Sequence, residues 1–188
     1  MPIASFQRFR RLGPKQLWTG LPRRFAALFG GLLILCLAAP AVWAREVTLA
    51  ELRADPKLTP ERLMGYFADF KFALGRAVRQ PEFFLANRSG DCDDFATLAA
   101  DLLREKGYST RLVVVFMPHD VHVVCYVAEA NSYLDYNRRK QPFPLVKCDA
   151  DLAAIAASVA QSFKSSWRSV SEFTYHNGER HFVSTVFH

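Results

Sequence analysis

An α+β fold is predicted by three features of the sequence. Helical spacing of apolar residues occupies the first half of the chain and returns once, over 149–167. Alternating Val- and aromatic-rich runs fill 111–136. Asn177-Gly178, a strong hairpin signal, then separates two further apolar runs near the C-terminus. Helices followed by an antiparallel sheet with one inserted helix make an α+β domain.

Thr59-Pro60-Glu61 supplies an N-cap, a first-turn proline and a first-turn acid. The helix it opens should align Leu63, Phe67, Phe70, Leu74 and Val78 and end before Pro81. Residues 81–91 are expected as a loop. A second helix runs from about Cys92 to Lys106, buries Phe95, Leu98, Ala99, Leu102 and Leu103, and stops at Gly107. Arg111–Met117 and Val121–Ala128 read as strands turned by Pro118-His119-Asp120, and Ser132–Tyr136 as a shorter one. Asp149–Trp167 is a helix with Leu152, Ile155, Val159 and Phe163 inward. Glu172–His176 and Arg180–Phe187 form the closing hairpin, packed by Trp167, Phe173, Tyr175 and Phe182.

The net charge of +6 suggests a nucleic-acid partner until it is located. Arg8, Arg10, Arg11, Lys15, Arg23 and Arg24 precede residue 45, with no acid among them. Removing those six from 24 bases leaves 18 against 18 acids, so residues 45–188 are neutral. No phosphate-binding surface is expected. The basic stretch precedes the uncharged run Phe25–Ala44, which closes on small residues. Residues 1–44 thus read as a signal peptide or an uncleaved N-terminal anchor, the only membrane contact expected. Residues 45–188 follow as one exported domain, periplasmic or secreted. Export leaves Cys92, Cys125 and Cys148, an odd number in an oxidising compartment.

Ser89-Gly90-Asp91-Cys92-Asp93-Asp94-Phe95-Ala96 places Cys92 in the first turn of a helix, where free N–H groups and the helix dipole favour the reactive thiolate. Position 92 is three before Phe95, so the sulfur points along the buried face, toward the sheet. Alternation sets His122, Val124 and Tyr126 on one strand face and Cys125 on the other. A histidine among valines is most often a satisfied core residue. Here the next strand carries Asp135 among apolar neighbours, where burial without a partner is costly. An odd register sum would put Asp135 diagonally beside His122. Thiol, base and orienting acid together are the parts of nucleophilic acyl transfer. His119 beside Asp120 is a rival base, but it lies in the turn.

Gly90-Asp91-Cys92-Asp93-Asp94-Phe95-Ala96 opening a helix, then His122 and Asp135 on successive strands, resembles the transglutaminase-like superfamily. It is most similar to the bacterial transglutaminase-like cysteine peptidases, over about residues 60–137. The resemblance implies a papain/transglutaminase-like core, with the nucleophile-bearing helix packed on an antiparallel sheet. It also implies Cys92 as nucleophile, His122 as base and Asp135 as its orienter, acting on a protein or peptide substrate. The Cys-to-His and His-to-Asp spacings are compact, no Trp lies near the nucleophile, and the oxyanion donors are expected to be the Cys92 N–H with Asn87 or Gln80. The chemistry requires no cofactor. Asp91, Asp93 and Asp94 read either as capping acids or, through resemblance to periplasmic adhesin-cleaving peptidases, as a calcium site at Asp91 and Asp93. The same trio could instead transfer the acyl group to an amine. A non-catalytic envelope-binding module and a disulfide-bonded structural domain are the remaining readings.

Overall fold

The computed structural model describes residues 47–176 and 178–188; the signal or anchor reading of 1–44, Cys36 and the hairpin residue Asn177 lie outside them. The domain is α+β, with helices on both faces of an antiparallel sheet. In chain order it holds α1 (Leu49–Ala54), α2 (Pro60–Tyr66), β1 (Lys71–Phe72), α3 (Pro81–Asn87), β2 (Ser89–Gly90) and α4 (Cys92–Glu105). Then come β3 (Thr110–Phe116), β4 (Val121–Val127), β5 (Ser132–Leu134), a 3₁₀ turn (Tyr136–Arg138), β6 (Leu145–Lys147), α5 (Leu152–Ser162), β7 (Ser169–His176) and β8 (Glu179–Phe187). The six-stranded sheet has the order β6-β5-β4-β3-β7-β8. Among the described residues, no helix is long and apolar enough to cross a membrane.

Period-two alternation divides the core in two. Leu112, Val114, Val123, Cys125, Val127, Leu134 and Phe173 face α1–α4. Val113, Val115, Val124, Tyr126, Tyr133 and Val170 face α5 through Leu152, Ile155 and Val159. In the hairpin, Phe173 is buried but Phe182 is 54% exposed, so Phe182 does not pack the sheet as expected.

Two expectations fail between residues 67 and 91. The helix from Pro60 ends at Tyr66 rather than continuing toward Pro81. Phe67 and Phe70 are buried, as helical spacing requires, but they enter an aromatic cluster with Phe84 and Phe95 that draws the chain out of the helix. Leu74, expected on the buried face, is 81% exposed. The expected loop 81–91 instead contains α3, with Pro81 in its first turn and Arg88 in the left-handed conformation at its end. The chain of β1 then runs parallel to β2, with Lys71 N–H donating to Arg88 O (2.9 Å) and Ala73 N–H to Gly90 O (2.8 Å). These bonds fix the backbone that leads into α4. The inserted helix is also shorter than expected: Asp151 caps its start, accepting from Ala154 N–H at 3.0 Å, and it ends at Ser162.

Candidate active site

Asp91 builds the mouth of α4. Its Oδ1 accepts from Asp93 N–H (3.1 Å) and Asp94 N–H (3.3 Å), while Asp94 Oδ2 accepts from Asp91 N–H at 2.9 Å. This reciprocal box satisfies orphan helix N–H groups and leaves Cys92 as the first helical residue, half-buried. Gly90 lets the strand approach closely: a Cβ there would lie 2.6 Å from both the Phe84 ring and the Asp94 carboxylate.

His122 is the second residue of β4 and 3% exposed. β4 pairs with β5 through Cys125–Leu134 and Tyr126–Tyr133, and extending that register sets Asp135 opposite Val124, two residues from His122. His122 Nε2 and Asp135 Oδ1 are 2.8 Å apart, both buried. The same carboxylate oxygen accepts from Asn137 N–H at 2.8 Å, so Asp135 also caps the 3₁₀ turn. The other hydrogen-bonding neighbour of His122 is the Cys92 side chain. Since Asp135 takes Nε2, Nδ1 is left for the sulfur. Burial alone would lower the imidazole's pKa, but the bonds to Asp135 and Cys92 outweigh it and raise the value to about 10.

The route by which thiol and imidazole meet differs from the expected one. Helix α4 covers the sheet face of Val123, Cys125 and Val127, whereas His122 shares its parity with Val124 and Tyr126. Contact occurs where β4 begins, beside the helix mouth. Phe163, just beyond α5, packs its ring 5.0 Å from the imidazole. Its apolar spacing was legible in the sequence, but not its place against His122.

The other candidates lie elsewhere. His119 is exposed in the β3–β4 turn. Asn87 gives its side-chain N–H to Phe83 O within α3 (2.7 Å), and Gln80 is exposed at the start of that helix. Cys92, Cys125 and Cys148 are free thiols. Burial pushes the Cys125 thiol up to about 12, and burial with Asp149 raises that of Cys148.

Asp91 and Asp93 do not fit a calcium site as they are placed. Besides the helix N–H groups, Asp91 Oδ2 accepts from Gly75 N–H at 2.7 Å. Both oxygens of Asp93 accept from Arg180, at 2.8 and 3.0 Å, and Asp94 is paired with Arg79. Calcium needs six to eight oxygen ligands. Among the described residues, no group of three or more His, Cys, Asp or Glu side chains could hold a metal ion. Arg79 and Arg180 are site residues that sequence reasoning missed, because neither lies in a motif and Arg180 is 87 positions from its partner.

The structure is similar to that of Legionella pneumophila LapG in calcium-bound form, at 16% identity, covering 70% of this chain and 74% of that one, with a TM-score of 0.45. A second LapG structure matches at 17% identity, 60% and 81% coverage and TM-score 0.41. A candidate cysteine protease from Cytophaga hutchinsonii matches at 19% identity, 69% and 44% coverage and TM-score 0.34. No curated protein matches the chain. The family model described as the transglutaminase-like superfamily matches residues 54–138. That matched segment, which includes Cys92, His122 and Asp135, is what this chain has in common with the superfamily.

Proposed function

We propose that the chain is an exported cysteine peptidase that hydrolyses protein or peptide amide bonds through Cys92, His122 and Asp135. One observation carries the reading: a buried imidazole has Asp135 at 2.8 Å on one nitrogen and the Cys92 side chain as its other hydrogen-bonding neighbour. A structural histidine needs one partner, and a buried acid needs one donor. A thiol completing the chain at a helix mouth adds a nucleophile to both.

The thiolate of Cys92 attacks the amide carbon, forming a C–S bond and placing the electron pair on oxygen. The Cys92 N–H is the proposed oxyanion donor, because the capping box uses the N–H groups of Asp93 and Asp94 and not this one. His122, a cation at neutral pH, gives its proton to the amide nitrogen as the C–N bond breaks. Water then attacks the thioester; His122 takes a proton from it, and breaking of the C–S bond releases the acid and regenerates the thiolate. Asp135 holds the ring in one orientation through both steps.

The test is incubation of the chain with a broad peptide pool in ¹⁸O-water containing a primary amine. New carboxyl termini carrying ¹⁸O are expected from the wild type and none from Cys92→Ala. Cleavage undiminished in Cys92→Ala sinks the proposal. Incorporation of the amine in place of ¹⁸O would replace hydrolysis with acyl transfer.

A further inference from the structure

Asp91, Asp93 and Asp94 set three carboxylates within one turn of α4, around the residue that carries the thiol. Like charges so close, and partly shielded from water, require compensation. The capping box supplies N–H groups, and Arg79 supplies a guanidinium: its Nη1 bonds Asp94 and lies 3.9 Å from Asp91, while its backbone N–H donates to Asp94 Oδ1 at 2.7 Å. Asp93 is left outside that arrangement and faces the C-terminal hairpin.

The hairpin answers with a cation. Arg180 Nη2 donates to both oxygens of Asp93. The guanidinium lies 4.5 Å from the Phe173 ring centroid and 5.9 Å from that of Tyr175, and Nη2 also donates to the Tyr175 hydroxyl at 3.2 Å. Tyr175 is its cross-strand partner in β7, and Phe173 is buried in the core beneath α4. A guanidinium seated on two rings and bonded to a carboxylate is held in place, unlike an ordinary surface lysine or arginine. Arg180 lies well beyond the segment matched to the superfamily, which ends at residue 138.

We propose that Arg180 is the resident cation of this helix mouth: it stands beside Asp93 where a divalent ion would otherwise be needed, so the chain takes no calcium there. In doing so it ties the C-terminal hairpin to the turn that carries Cys92. Arg180 is therefore a positioning residue, acting through Asp93. The inference concerns charge and does not rest on Cys92 being a nucleophile, although it bears on that same site.

The test is thermal unfolding of the full chain, a readout that involves no catalysis. Wild-type Tm should be the same in excess EGTA and after calcium is restored. Arg180→Gln, which keeps much of the stem but removes the charge, should lower Tm by about 2–4 °C. Arg180→Lys should retain part of the loss-free behaviour. Adding Asp93→Asn to Arg180→Gln should recover most of the loss, because the uncompensated carboxylate is then gone; a role confined to packing would not be rescued in this way. A calcium-dependent rise in wild-type Tm overturns the proposal, as does a double variant no more stable than Arg180→Gln alone. An inactive but calcium-indifferent wild type would leave this inference standing and count only against the peptidase reading.

Discussion

At the scale of single residues, the site depends on how two buried polar groups satisfy each other. Asp135 is 1% exposed and His122 is 3% exposed, so neither has water as an alternative partner. Their bond holds the imidazole protonated, and the sign of the effect can be read by titration. NMR of the His122 ring should show it protonated at neutral pH and losing that proton only as pH climbs toward about 10. In Asp135→Asn the larger of the two partners that raise the value is gone and burial opposes only the Cys92 side chain, so the proton should leave at a distinctly lower pH than in the wild type. A wild-type ring that titrates near 6.5 would contradict the geometry. For turnover, Cys92→Ala and His122→Ala should each cost about 10³-fold or more, and Asp135→Asn about 10²- to 10⁴-fold, read as rates of peptide cleavage. The pairing itself was legible in the sequence: an acid amid apolar residues one strand after a histidine demands a partner. The arginines were not, since nothing local to Arg79 or Arg180 signals a distant carboxylate.

At the scale of elements, α4 is placed by what surrounds its first turn. Phe95 stacks on Tyr136, with ring centroids 5.4 Å apart, and Tyr136 directly follows Asp135. One aromatic contact thus connects the helix that carries Cys92 to the turn that Asp135 caps. The Tyr136 hydroxyl also donates to Lys71 O at 2.9 Å, linking that turn to β1. Phe95→Ala should therefore cost about 3–5 kcal/mol in chemical unfolding and lower cleavage in any surviving folded fraction. Gly90→Ala should cost about 1–3 kcal/mol by overpacking against Phe84 and Asp94; unchanged stability would show that the ring and carboxylate can yield. Helix α4, β3 and β4 were legible because capping chemistry and periodicity agree there. Residues 67–80 were not, because Phe67 and Phe70 satisfy helical spacing while their burial comes from tertiary aromatic contacts. Signals for two missed helices were present: the Thr48–Glu51 capping box before α1, and Pro81-Glu82 opening α3. The three residues of β6 carry no comparable signal, since their pairing with β5 is a backbone matter.

At the scale of the whole molecule, the sheet separates two cores that cooperate at its end. Alternation along β3 and β4 was readable, but which helix covers which face was not, because both faces are apolar and either could receive α4. The result places Cys125 under α4 and His122 on the α5 side, where Phe163 limits water access. Burial also sorts the thiols. Cys125 is fully buried, with its thiol pushed to about 12, so iodoacetamide followed by peptide mapping should label Cys92 and leave Cys125 unmodified in the native chain. Labelling of Cys125 at a comparable rate would mean that the sheet opens far more readily than its packing implies.

The central claim is that Cys92, His122 and Asp135 act as one unit, and the rate of Cys92 alkylation by iodoacetamide at neutral pH tests it most directly. The account predicts that His122→Ala alkylates at Cys92 markedly more slowly than the wild type, because the sulfur has lost its imidazole partner. Equal rates in the two would contradict it.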